Sequence, residues 1–170
     1  MKNSTTTWLG IITLCVASLT AHAEPTNSAG QSNWSSEKRL DTFNTEDGLG
    51  LSGYDPVSYF HGQPTKGKAS ITSKYNGVTY RFSSTANKQS FDTDPSKFEP
   101  AFGGWCAWAM ADDGSRVEID PKSYKIYDGR LYLFYDGFWG DTLAKWNEES
   151  AADQKKLSKR ADQLWADQGK

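Results

Sequence analysis

The chain has 170 residues and a formal net charge of −2 at neutral pH. This charge balance excludes the basic surface that binding to nucleic acid or anionic lipid requires. Aromatic residues make up 14% of the chain. We therefore expect one domain whose core is built largely from Tyr, Phe and Trp side chains.

The N-terminal residues have the pattern of a secretory signal peptide. Lys2 supplies the positive charge, Trp8 to Leu19 form an apolar stretch, and Ala21-His22-Ala23 fits the small-x-small cleavage rule. The apolar stretch is too short to span a bilayer as a mature helix. We expect cleavage after Ala23 and a periplasmic or secreted protein with no membrane span in the mature chain.

The organisation predicted after the signal peptide is a leader followed by one domain. Residues 24–39 are rich in Ser, Asn, Gly and Gln, which indicates a flexible leader. Residues 40–168 are predicted to form the single ordered domain.

Two hairpins are expected within that domain. Asn76-Gly77 and Asp128-Gly129 each stand between β-rich runs, and both dipeptides tolerate the positive φ angles of a type I′ turn. Val78, Tyr80 and Phe82 alternate onto one face of the first hairpin.

The remaining segments favour helices. Ser84 is a candidate N-cap for a short helix from Thr85 to about Phe91, which Asp94-Pro95 ends. The stretch from about Thr142 to Ala166 is helical in composition, and its apolar positions recur at helical spacing: Leu157, Ala161, Leu164 and Trp165. Together these segments predict an α+β fold, with a small, mainly antiparallel sheet built from two hairpins and packed with short helices and a C-terminal helix.

One cysteine and one histidine remain after cleavage, and they suggest a metal site. Cys106 follows two glycines, and Met110 lies four residues further on. Thiolate and thioether ligands favour Cu(I), and imidazole suits copper and zinc. The metal-ligand set predicted from these types is Cys106, His61 and Met110, with copper preferred over zinc. The spacing matches no closed Cys-x-x-Cys site, and a buried, inert Cys106 is an equally open interpretation.

A second interpretation is a small-molecule pocket. Tyr54 and Asp55 belong to a turn, and Trp105 and Trp108 flank Cys106, so these four side chains could line an aromatic pocket. The alternative is that the aromatic members fill a core short of aliphatic residues.

Several ordered motifs resemble the YHS domain family, over roughly residues 50–166. They are Gly53-Tyr54-Asp55-Pro56-Val57-Ser58-Tyr59-Phe60, the first hairpin with Phe82-Ser83-Ser84, the Phe91-x-x-Asp94-Pro95-x-Lys97-Phe98 exit, Gly103-Gly104-Trp105-Cys106-Ala107 and the second hairpin. The later motifs look like the exported bacterial branch of that family. The resemblance implies a heavy-metal context and a likeness to Cys-rich metal-binding modules.

The resemblance also implies where the metal thiols of such modules would stand. The corresponding positions in this chain are Ser58, Ser83 and Asn87, so all three thiols are absent. The metal site of those modules therefore does not carry over to this chain.

Catalysis is the interpretation that the sequence favours least. Only His61 could act as an imidazole base for Cys106, and no cation stands next to the thiol in the sequence. The leading prediction is an exported binding protein that handles copper around Cys106. The alternative is a non-catalytic structural or partner-interaction module with Cys106 in its core.

Overall fold

The computed structural model describes residues 33–170. The predicted signal peptide and residues 24–32 of the predicted leader lie outside the described residues. The helices are α1 (Ser36–Thr42), α2 (Thr85–Thr93), α3 (Pro95–Phe98), α4 (Ala107–Asp112), α5 (Thr142–Glu148) and α6 (Ala151–Asp167). The strands are β1 (Thr45–Glu46), β2 (Leu49–Gly50), β3 (Lys68–Tyr75), β4 (Val78–Phe82), β5 (Asp120–Tyr127), β6 (Arg130–Phe134), β7 (Asp136–Gly137) and β8 (Gly140–Asp141). Short 3-10 helices span Leu51–Gly53, Ser58–His61 and Ala101–Gly104.

The predicted α+β class is confirmed. One sheet has the strand order β1-β2-β4-β3, in which only β2 and β4 run parallel. β5 and β6 form a separate two-stranded sheet, and β7 and β8 form a third, also two-stranded. The two predicted hairpins therefore lie in different sheets.

Both predicted turns have the expected backbone. Asn76 and Gly77 have φ angles of 44° and 95°, and Asp128 and Gly129 have 50° and 74°. Val78, Tyr80 and Phe82 are buried and alternate with partly exposed residues, as period-2 patterning predicts. In the second hairpin, the whole run from Leu131 to Phe134 is buried, because both faces of β6 are covered.

The predicted helices are present, although some of them begin or end at other residues than predicted. Ser84 caps α2 by accepting a hydrogen bond from the Asn87 amide. The predicted C-terminal helix is divided into α5 and α6, since Ser150 caps a new helix. The predicted apolar stripe of α6 packs chiefly against α4, and Ala161 and Trp165 on it are fully buried.

The predicted leader is too long, because part of it belongs to the domain. α1 begins at Ser36, and Arg39 is completely buried. Its guanidinium forms an ion pair with Glu99, and it donates to the carbonyl of Asn76 across 3.0 Å. α1 also lies against the first turn, because a Cβ at Gly77 would come within 2.9 Å of Ser36. The ordered domain therefore includes residues that composition alone assigned to a linker.

Candidate functional site

Cys106 and Met110 lie on the inner side of α4. Cys106 is the residue before the first turn of α4, Met110 is one turn further on, and both side chains are completely buried. The Cys106 sulfur lies 3.4 Å from the hydroxyl oxygen of Thr142. That hydroxyl donates to the carbonyl of Tyr135, so the thiol is the donor in the sulfur contact. A protonated, buried thiol is a poor metal ligand.

The third predicted ligand does not share this environment. His61 is exposed at the end of a 3-10 helix, whereas Cys106 and Met110 are sealed in the core. An imidazole in solvent and two enclosed sulfur side chains do not make a common, reachable site. Within residues 33–170, no group of three or more His, Cys, Asp or Glu side chains could hold a metal ion.

The aromatic members of the predicted pocket each have contacts of their own. Trp105 is half-buried, and its indole donates to the carbonyl of Thr42 across 2.7 Å. Trp108 is half-buried against the core. Tyr54 lies under the Lys66 ammonium, 4.6 Å from the ring centroid. Each of the three rings therefore makes a packing or polar contact within the fold.

A polar cleft of about 330 Å³ lies on another part of the surface. Its lining contains none of the predicted pocket residues: Asn44, Thr45, Glu46, Leu49, Ser52 and Glu118. The Asn44 amide donates to the Glu118 carboxylate across 3.1 Å at its edge. The cleft is open and polar, unlike the enclosed apolar pockets typical of small-molecule sites.

Asp55 is the centre of a buried polar network with Ser58, Ser83 and Asn87. Its carboxylate is completely buried and accepts from the Ser83 hydroxyl at 2.7 Å and from the Asn87 amide at 2.7 Å. The backbone N–H groups of Val57 and Ser83 also donate to it, at 2.9 and 2.8 Å. Ser58 donates to the Asp55 carbonyl at 2.6 Å. We call these four residues the Asp55 network.

The Asp55 network joins two chain segments, residues 55–58 and residues 83–87, whose hydrogen bonds to each other span 28 and 32 positions in the sequence. The 3-10 helix holds Ser58, Ser83 follows β4, and Asn87 lies in the first turn of α2. These are the three positions at which the YHS resemblance places the thiols of Cys-rich modules. In this chain, a carboxylate with four donors stands at their meeting point. The donors satisfy the buried charge, as a stable interior requires.

Two buried tyrosines also make polar contacts in the core. Burial raises the pKa of Tyr59 and Tyr80 well above the usual range, and the nearby Glu99 carboxylate raises that of Tyr80 further. The Tyr59 hydroxyl donates to the carbonyl of Pro121, and the Tyr80 hydroxyl donates to Glu99. The shift keeps both phenols protonated, which is the form that these structural hydrogen bonds need.

The most unusual surface feature is the hairpin of β7 and β8. Phe138 and Trp139 connect its two strands and are 90% and 83% exposed. Their rings stand edge to face with centroids 4.9 Å apart. We call this pair the aromatic tip. Two adjacent large aromatic side chains in solvent are unfavourable for an isolated protein, so they indicate an interaction site.

The hairpin that carries the aromatic tip is held in a fixed conformation. The Tyr135 hydroxyl accepts from the Trp139 amide at 3.2 Å, and a Cβ at Gly137 would meet that hydroxyl at 2.6 Å. Below it, both the amide and the hydroxyl of Thr142 donate to the Tyr135 carbonyl. Asp141 caps α5 by accepting from the Ala144 amide. The tip is therefore presented by an anchored element.

Sequence reasoning did not identify this site. The signal was present in the run Asp136-Gly137-Phe138-Trp139-Gly140-Asp141, where two aromatic residues stand between two glycines. Such a run predicts a tight turn with aromatic residues at its end. The aromatic content was instead assigned to the core.

Comparison of the chain with protein-family models, curated proteins and solved structures gives no match in any of the three. In the described part of the chain, no helix has the length and apolar character needed to cross a membrane.

Proposed function

We propose that this protein is an exported, non-catalytic binding module that presents the aromatic tip to a macromolecular partner. The observation that carries the proposal is the exposure of Phe138 and Trp139 on an anchored hairpin. Aromatic residues fixed in one conformation bind at low entropic cost, which is why they dominate interface hot spots.

The Asp55 network supports a structural role for the rest of the domain. A YHS-like domain whose metal-ligand positions are Ser58, Ser83 and Asn87 can use a carboxylate instead of a metal to join the same segments. We propose this substitution as the reason that the chain keeps the family's motifs without its thiols. It leaves the core as a rigid support for the hairpin.

Export is part of the proposal and rests on the sequence of residues 1–23. Cleavage after Ala23 would remove Cys15 and leave Cys106 as the one thiol of the mature chain. N-terminal mass analysis of secreted material would give Glu24 as the first residue. A mature protein that retains Cys15 would contradict export by this route.

Copper handling through Cys106 is the competing function. The observation in favour of copper handling is that Met110 follows Cys106 by one helical turn, which places two sulfur side chains in the same interior region. A Cu(I) ion there would require opening of the core and loss of the contact to Thr142. We therefore favour the aromatic tip over the buried sulfurs.

The proposed function is tested by site-specific photo-crosslinking in the cells that produce the full chain. Phe138 is replaced by p-benzoylphenylalanine, and the exposed Lys155 on α6 is replaced in the same way as a control. We expect irradiation to give one discrete adduct from position 138 and none from position 155. No adduct from position 138, or equal diffuse labelling from both, would overturn the proposal.

A further inference from the structure

We infer that the partner surface is an apolar socket rimmed by Lys or Arg side chains. This inference rests on the proposed function and specifies the chemistry of the partner. It is carried by the charges on either side of the aromatic tip. The segment from Tyr135 to Thr142 contains two carboxylates and no cation.

The two carboxylates stand directly opposite each other. Asp136 on β7 pairs with Asp141 on β8 in the antiparallel register. Like charges at directly opposed positions destabilise a β ladder. The Asp136 carboxylate has no hydrogen-bond or ion-pair partner among the described residues, and Asp141 accepts only the cap bond of α5.

The hairpin therefore combines two features that are unfavourable in the free protein. It exposes two aromatic rings, and it places two negative charges side by side beneath them. A partner with an apolar socket and a cationic rim relieves both at once, because the rings are buried and the carboxylates gain opposite charges. An anionic bilayer would bury the rings but would repel the two carboxylates. A membrane is therefore the less favoured partner.

The size of the tip is suited to an anchor within a larger contact. Two buried aromatic side chains contribute about 150–250 Å² each. A standard interface buries about 800 Å² on each partner. The aromatic tip would therefore supply roughly half of one side of such an interface, with the carboxylates at its edge.

The same crosslinking system tests the charge of the socket. In the chain with p-benzoylphenylalanine at position 138, Asp136→Lys should reduce the adduct yield about fivefold or more, and Asp136→Asn should reduce it less. Asp41→Lys, an equal charge change on α1, is the matched control and should leave the yield unchanged. Sequencing of the crosslinked peptide should find apolar residues flanked by Lys or Arg.

The outcomes separate the two proposals. An adduct whose yield is unchanged or increased by Asp136→Lys would overturn the cationic rim and leave the aromatic tip as the binding element. An adduct with lipid or with a second copy of this chain would also overturn the socket. Absence of any adduct at position 138 would overturn both proposals. Circular dichroism melting of Asp136→Lys confirms that a lost adduct does not come from unfolding.

Discussion

The Asp55 network buries a polar group in the core, whereas the aromatic tip exposes apolar groups to solvent. The network encloses a carboxylate completely and gives it four donors. The tip leaves two aromatic rings in solvent. A buried charge with all its donors joins chain segments, whereas exposed rings contribute little to folding. The difference indicates that the first region contributes to stability, and the proposed function assigns recognition to the second.

The largest effect is expected at the centre of the network. Asp55→Ala leaves several buried donors without an acceptor, and each such group costs about 1–3 kcal/mol. We expect a loss of at least about 3 kcal/mol in the free energy of unfolding, measured by urea denaturation. Ser83→Ala removes one hydroxyl donor and should cost only about 1 kcal/mol. Equal midpoints for wild type and Asp55→Ala would show that the network does not hold the fold together.

A smaller effect is expected at the base of the tip. Gly137→Ala places a methyl group against the Tyr135 ring, so the ring must move and its hydroxyl must release the Trp139 amide. We expect a cost of about 1 kcal/mol and a reduced crosslinking yield at position 138. Tyr135→Phe removes the closest contacting atom, so its effect and that of Gly137→Ala should be non-additive in a double-mutant cycle. Full additivity would show that Tyr135 does not position the tip.

The sequence predicted the features of the fold that depend on local signals. Asn-Gly and Asp-Gly are turn signals within two residues, and both hairpins formed as expected. The leader boundary was wrong because the partners of Arg39 are distant in sequence, with Glu99 60 residues away. Apart from the Val57 amide, the donors to the Asp55 carboxylate come from 28 and 32 residues away, so no spacing rule finds them.

The candidate site was harder to predict, because composition does not distinguish a buried aromatic residue from an exposed one. Trp105 and Trp108 drew attention through their nearness to Cys106, and the structure packs them against the core. Phe138 and Trp139 are also large aromatic residues, but their side chains are almost fully exposed. Their exposure follows from tertiary packing around the β7–β8 hairpin, which one sequence does not reveal.

Alkylation of Cys106 tests whether its thiol is enclosed in the core. We expect no alkylation by iodoacetamide in the native protein and complete alkylation in urea, since the side chain is fully enclosed. Cu(I) titration under anaerobic reducing conditions should then give equal, weak binding for wild type and Cys106→Ser. Tight binding that is lost in Cys106→Ser would instead support the copper function.

The smallest change in stability, and the most direct test of the central claim, is expected at the tip itself. Phe138→Ala combined with Trp139→Ala removes two rings that lie almost entirely in solvent. The free energy of unfolding from urea denaturation should stay within about 0.5 kcal/mol of wild type, as for other exposed substitutions. A loss of about 2 kcal/mol or more would mean that the rings pack within the protein's own fold, and would contradict a tip reserved for recognition.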